Sequence, residues 1–274
     1  MGLACAAATA HAIDEGVAKG SLVVDGRTIP LAHSYAHRHD NEEGLLDGPE
    51  LRVLLTDRKV PHTLLAGIHP ARLTELARKG EVAGVLLTLD ARKPAAGMRG
   101  VLLAGEKNPQ KSLTSFSLSS GDGGFRKLTI GDNRLLGEAH HQSLRGSPAF
   151  EYSATFSAPL FREEPMTEKL AGARAVESVP FKSFALYYAA LRAGEVETAR
   201  QLATPETFRE VDALIARAGR AEALKMIREM SAVPGVRDKP QVFVRGRNAL
   251  IVFQAEGSRG MQSLTQAGGK WLVD

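Results

Sequence analysis

The sequence predicts an α+β chain: a β-rich first half, read as an antiparallel β-sandwich or partly open barrel, then a half of helices followed by strands. Three observations carry this. Between Ser21 and Phe161 the apolar residues come in short runs or at period two, separated by turn residues. Between Phe181 and Met230 their spacing becomes helical, and from Gln241 strand-like runs return. A length of 274 residues accommodates two domains. The expected divisions are 1–20, a leader remnant or disordered tail; 21–161, the β-rich domain; 162–178, a charged, alanine-rich linker; and 179–274, the mixed domain.

The first element is a hairpin. Asp25-Gly26 tolerates the positive φ values of a two-residue type I′ turn, so Val24 should face Arg27, Val23 Thr28 and Leu22 Ile29. Further strands are expected at LRVLLTD (51–57), VAGVLLTLD (82–90), GVLLAGE (100–106), SLTSFSLSS (112–120), FRKLTIGD (125–132) and AFEYSATFSAPLF (149–161). Only HPARLTELARKG (69–80) breaks the pattern. Its Leu73, Leu76 and Ala77 lie at helical spacing and Gly80 supplies a stop.

In the second half Phe184, Tyr187, Tyr188 and Leu191 make an i, i+3, i+4, i+7 stripe. Gly194 ends one helix, and Thr204-Pro205 places proline in the first turn of another. Strands follow at QVFVRG, NALIVFQAEG, GMQSLTQA and KWLVD. The opening helix FALYYAALRAGEVETARQLATPE, the pair QVFVRGRNALIVFQAEG and the closing GGKWLVD resemble the NTF2-like (SnoaL-like) superfamily over about 95 residues, from Val179 to Asp274. The resemblance implies a cone in which a curved antiparallel sheet wraps helices, often around a pocket. Such cones host enzymes, binders and dimerisation modules, so the likeness fixes no activity. It implies pairing through the sheet, as a homodimer or with another protein, or capture of a small apolar ligand.

The formal charge of +4 is spread along the chain: 21 basic against 20 acidic residues up to position 175, and 14 against 11 after it. Without a concentrated basic face, nucleic acid is not an expected partner. No apolar run is long enough to span a bilayer as a helix, so no transmembrane segment is expected. The N-terminus MGLACAAATAHA ends in Ala10-His11-Ala12, the small-x-small form of a signal cleavage site, which points to a periplasmic or secreted address. Cleavage after Ala12 would remove Cys5, the single cysteine, and with it disulfides and thiolate ligands.

The most chemical stretch is AHSYAHRHD (32–40). Alternate residues of a strand share a face, so His33, Tyr35, His37 and His39 line up. Extending the hairpin register puts His33 and Tyr35 on the core side with Leu22, Ile29 and Leu31, where they would hydrogen-bond at its rim. His37 and His39 would then run out into the polar loop DNEEGLLDGPE. Pro30 threatens this register, since a bulge there would exchange the faces. A metal reading takes His33, His37, His39 and Asp40, with Glu42 or Glu43, as ligands for Zn or Cu. The alternative is a structural or solvated segment needing no cofactor. His140 and His141 are expected in a polar loop, and His62 and His69 in loops beside prolines.

Other chemistries fare worse. GEKNPQKS (105–112) has the length of a phosphate loop, but Gln110 replaces its second glycine and a strand follows. No G-x-S-x-G is present, and GSPAF (146–150) lacks a strand-to-helix context. An NTF2-like enzyme would use Tyr187 or Tyr188 with Asp212, in the manner of ketosteroid-isomerase relatives. The strands offer only Glu256 as an acid. Tyrosine as core and aspartate as solvent face is the better reading. A non-catalytic role in protein association or apolar-ligand binding is therefore expected, with an isomerase- or hydrolase-type enzyme and a metal-binding envelope protein as alternatives.

Overall fold

The computed structural model describes residues 16–67, 71–104, 113–119, 124–144, 148–230, 234–255 and 258–274. The expected leader through Ala12, with Cys5, lies outside the described residues, as do His69, the 105–112 loop and Glu256. The chain is α+β and divides into two compact units, Met1–Glu163 and Glu164–Asp274. No described helix is long and apolar enough to cross a membrane.

The first unit is built on strands β1 Val17–Val24, β2 Arg27–His39, β3 Glu50–Thr56, β4 Gly84–Asp90, β5 Gly97–Leu103, β6 Ser115–Ser119, β7 Gly124–Ile130, β8 Arg134–Ser143 and β9 Phe150–Arg162. They form one sheet in the order β6-β5-β4-β3-β2-β1-β9-β8-β7, antiparallel between neighbours, a half-barrel rather than two facing sheets. Its curvature is visible in the rings. Phe116 of β6 lies 5.1 Å from Phe150 and 6.1 Å from Tyr152 of β9, although five strands separate β6 from β9 in the sheet. One face carries the large core, with Leu22, Ile29, Leu31, Val53, Leu87 and Phe156. The opposite face carries a smaller core around Tyr35, Leu54, Leu65, Leu73 and Ala77. Helix α1, Ala71–Arg78, and a 3-10 turn at His62–Leu65 supply the covering residues.

The β1–β2 hairpin pairs as expected, Leu22 with Ile29 and Val24 with Arg27. Asp25 and Gly26 have φ of 48° and 78°. Further along, the faces exchange. The register runs to Gly20↔Leu31 and then steps to Val17↔His33, so Ala18 and Lys19 stand opposite Ala32 alone. Beyond this bulge Ala36 joins the large core and Tyr35 the small one. The expectation that His33 and Tyr35 share a face with Leu22 is thereby corrected. Tyr35 does finish a core by hydrogen bonding, accepting from the Val60 amide at 3.0 Å, but that core is the one on the other face. His37 and His39 do not run into solvent either, since β2 continues to His39 and both are buried.

His140 and His141, expected in a loop, lie in β8, where the His141 ring stacks on Phe116 at 5.4 Å.

In the second unit β10 Glu168–Ala171 precedes helices α2 Ala173–Glu177, α3 Val179–Ala193, α4 Val196–Arg200, α5 Pro205–Ala218 and α6 Arg220–Met230. Strands β11 Gln241–Arg245, β12 Asn248–Ala255, β13 Ser258–Ala267 and β14 Lys270–Val273 follow. The sheet is an antiparallel meander in chain order, β10 to β14. Residues 162–178, expected as linker, thus contain a strand and a short helix. The Ser178 hydroxyl caps α3 by accepting from the Phe181 amide, Gly194 ends it with φ 81°, and Thr204 caps α5 ahead of Pro205. Phe181, Phe184, Tyr187, Leu191, Phe208 and Ile227 pack with Val242, Ile251, Leu264 and Trp271 into a continuous core.

Candidate metal centre

Polar residues gather on the small-core face where β2 and β9 end and β3 begins. Beta strand β1 begins only at Val17, and beyond it β2 and β9 pair directly and in parallel, His37 beside Phe161 and Arg38 beside Arg162. This pairing delivers Glu163, the residue after β9, to the two histidines. On the other side β3 places Arg52 opposite His37 and Glu50 opposite His39.

His39 is completely buried. Its Nδ1 lies 2.7 Å from Glu163 Oε2. Its Nε2 makes no hydrogen bond among the described residues and stands 3.5 Å from Glu43 Oε2. Glu43 is folded back over His39 by the loop between β2 and β3. Asn41 takes a positive φ of 54°, and its Oδ1 accepts from the Leu45 and Leu46 amides at 3.0 Å each. Asparagine tolerates that backbone better than other residues with a side chain. Glu163 is fixed from a second direction, its Oε1 accepting from the Gly67 amide at 2.9 Å.

The loop that offers this amide is held in turn by Arg52, which is 1% exposed. Arg52 Nη1 donates to the Leu65 carbonyl at 2.9 Å and to the Gly67 carbonyl, while Nη2 donates to Glu50 Oε2 at 2.8 Å.

His37 stands with its Nε2 3.9 Å from Glu163 Oε1 and its Nδ1 buried without a hydrogen bond among the described residues. Burial pushes its imidazole down to about 4, and the charges of Arg52, His39 and His62 act in the same direction against Glu163. It is neutral at pH 7, the form that binds metals. Burial alone would raise the Glu163 carboxyl. The hydrogen bond and charge of His39, the Gly67 amide and His37 outweigh it and hold Glu163 at about 2. His62 stacks on Phe161 at 3.9 Å, closing this end of the site.

His39, Glu43 and Glu163 offer donor atoms that all lie within 4.8 Å of one another. Two ligands of a tetrahedral ion with bonds of about 2.0–2.2 Å stand about 3.3–3.6 Å apart, which matches the 3.5 Å from His39 Nε2 to Glu43 Oε2. A carboxylate on one imidazole nitrogen, with the other nitrogen facing a donor, is the arrangement that orients metal-binding histidines.

The other expected ligands do not converge. His33 is half-buried opposite Thr56, and Asp40 is taken by Arg38 Nε at 2.6 Å. Glu163 was not foreseen. It lies 124 residues from His39, and only the parallel β2–β9 contact brings it there.

The tyrosine–aspartate set of the second unit is not assembled. Tyr187 is buried and packs edge-on to Tyr188 at 5.0 Å. Burial raises the phenols of both. Tyr188 donates to Gln262 Oε1 at 3.0 Å. Asp212 is bound by Arg200 through two hydrogen bonds, 2.8 and 2.9 Å. Those bonds hold its carboxyl below the usual range.

Comparison with protein-family models, curated proteins and solved structures finds no match.

Proposed function

We propose that the first unit is a metal-holding module, binding one divalent transition ion through His39 Nε2 and Glu43, with Glu163 orienting His39 from its Nδ1 and His37 beside them. The observation that carries this reading is the His39 imidazole: fully buried, anchored at Nδ1 by Glu163, and presenting Nε2 to Glu43 without a hydrogen bond among the described residues. Imidazole and carboxylate donors suit Zn(II) or Cu(II). Burial of the donors suits an ion that is retained, so the role is non-catalytic, as expected of an exported binding or association protein. For the second unit, a cone of the NTF2-like kind is the finer reading of its helices-then-meander order. Met261, exposed on β13, supports association through that sheet.

Equilibrium dialysis of the full chain against micromolar Zn(II) and Cu(II) tests the metal. Close to one ion per chain is expected. His39→Ala should weaken binding at least 100-fold, and Glu163→Gln by about 10–100-fold, the usual loss for an orienting partner. His33→Ala should leave binding intact. Absence of saturable binding, or equal binding by His39→Ala, rejects the reading.

A further inference from the structure

On the same outer face, the register of β2 to β6 lays a transverse row of polar side chains: His37 opposite Arg52, Arg52 opposite Thr88, Thr88 opposite Arg99, Arg99 opposite Ser117. Its far end borders a groove of about 510 Å³. Thr88, Arg99, Ser117 and Glu50 line it, with Leu45 and Leu46 among its apolar residues.

The wall of the groove is preformed. Asn41 pins Leu45 and Leu46, the Ala91 amide donates to the Pro49 carbonyl at 2.9 Å, and Arg92 Nη2 reaches the Asp47 carbonyl at 3.4 Å. Gly48 packs so closely on the Arg92 guanidinium that a Cβ would stand 2.2 Å from Nη2.

Arg99 differs from an ordinary surface arginine. Its side chain is 68% exposed, yet its Nη2 is tied at 2.6 Å to Glu50 Oε1, a carboxylate that is itself buried and shared with Arg52. Two guanidiniums share this one carboxylate, so the positive charge is local to Arg99 while the groove as a whole is close to neutral. Among the described residues Glu50 is the partner of Arg99, and a guanidinium has five N–H donors in a rigid fork suited to a carboxylate. Because Glu50 already fixes the fork, little side-chain freedom remains to be lost on binding. The hydroxyls of Thr88 and Ser117 flank it on the neighbouring strands. Of the other acids in the wall, Asp90 is neutralised by Arg92 at 3.1 Å, while Asp47 adds a carboxylate to the lining.

We infer that this groove binds a small organic acid. Its carboxylate would sit on Arg99 between Thr88 and Ser117, and its short apolar body against Leu45 and Leu46.

Calorimetric titration of the full chain with sodium hexanoate, at constant ionic strength, tests it. Saturable binding is expected for hexanoate and none for hexanamide, which has the same body without the charge. Arg99→Gln should weaken hexanoate at least 10-fold. Leu46→Trp should do the same by filling the groove while leaving the guanidinium in place. An unchanged far-ultraviolet circular dichroism spectrum and an unchanged thermal unfolding midpoint report that each variant remains folded. No saturable binding by the wild-type chain, equal binding of acid and amide, or indifference to Arg99→Gln in a folded variant would each overturn the assignment.

Discussion

In the first unit His37, His39, Glu43 and Glu163 are withdrawn from water and turned toward one another, beside the buried guanidinium of Arg52. In the second unit the corresponding polar groups are dispersed. Asp212 and Arg200 meet in solvent, and Tyr187 and Tyr188 are embedded beside Phe184. Taking a charge out of water costs several kcal/mol unless partners are already in place. A buried ionisable cluster therefore implies an arrangement that compensates it, whereas an exposed ion pair implies nothing beyond itself. That contrast, rather than the count of histidines, makes the first unit the place to look for binding.

The sharpest way to break the comparison is to remove the buried cation. Arg52→Met deprives Glu50 of one partner and releases the carbonyls of Leu65 and Gly67, and it should destabilise the chain by about 3–5 kcal/mol. Urea denaturation followed by circular dichroism measures it. A midpoint like that of the wild type would mean that the network is ornamental.

Acid gives the next largest effect. In the metal-free chain His37 titrates at about 4, below its unfolded 6.5, so the unfolded state binds more protons between these values. Its contribution is complete above pH 6.5 and is lost as pH falls to 4, in all about 3 kcal/mol. Glu163, held at about 2 against 4.5, acts in the same direction: its contribution is present above 4.5 and is lost as pH falls further. Stability should therefore decline from pH 6.5 downward, and His37→Phe should flatten the upper part of that decline. An unchanged profile in the variant would show that another group is responsible.

The smallest effects belong to the second unit. Tyr188→Phe deletes one hydrogen bond, to Gln262, and should cost about 1 kcal/mol. Asp212→Asn, at a solvated pair, should not move the unfolding midpoint measurably. A larger loss from Asp212→Asn than from Arg52→Met would invert the comparison.

What was legible in the sequence was local. Asp25-Gly26 specified its hairpin, Gly194 ended α3, Thr204-Pro205 opened α5, and Leu73 with Ala77 marked the buried side of α1, because each signal lies within a few residues of its consequence. The site depended on events that alternation does not encode. The bulge at Ala18–Lys19 turned His37 and His39 to the other face, and Pro30 was its only hint. Glu43 was visible as one of several acids in a loop, but Asn41 selects it by bending the backbone. Glu163 depended on a parallel contact between strands that are neither sequential nor adjacent in most of the sheet. Strand β10 escaped notice because it has four residues and its partner β11 begins only at Gln241.

The central claim is that His39 is a ligand and not merely a buried hydrogen-bonded side chain. Electron paramagnetic resonance of the Cu(II)-loaded full chain tests this directly, since an imidazole nitrogen bound to copper gives resolvable nitrogen coupling. The account predicts nitrogen coupling in the wild type that disappears or changes in His39→Ala and persists in His33→Ala. A spectrum with oxygen donors alone, or one indifferent to His39→Ala, would contradict it.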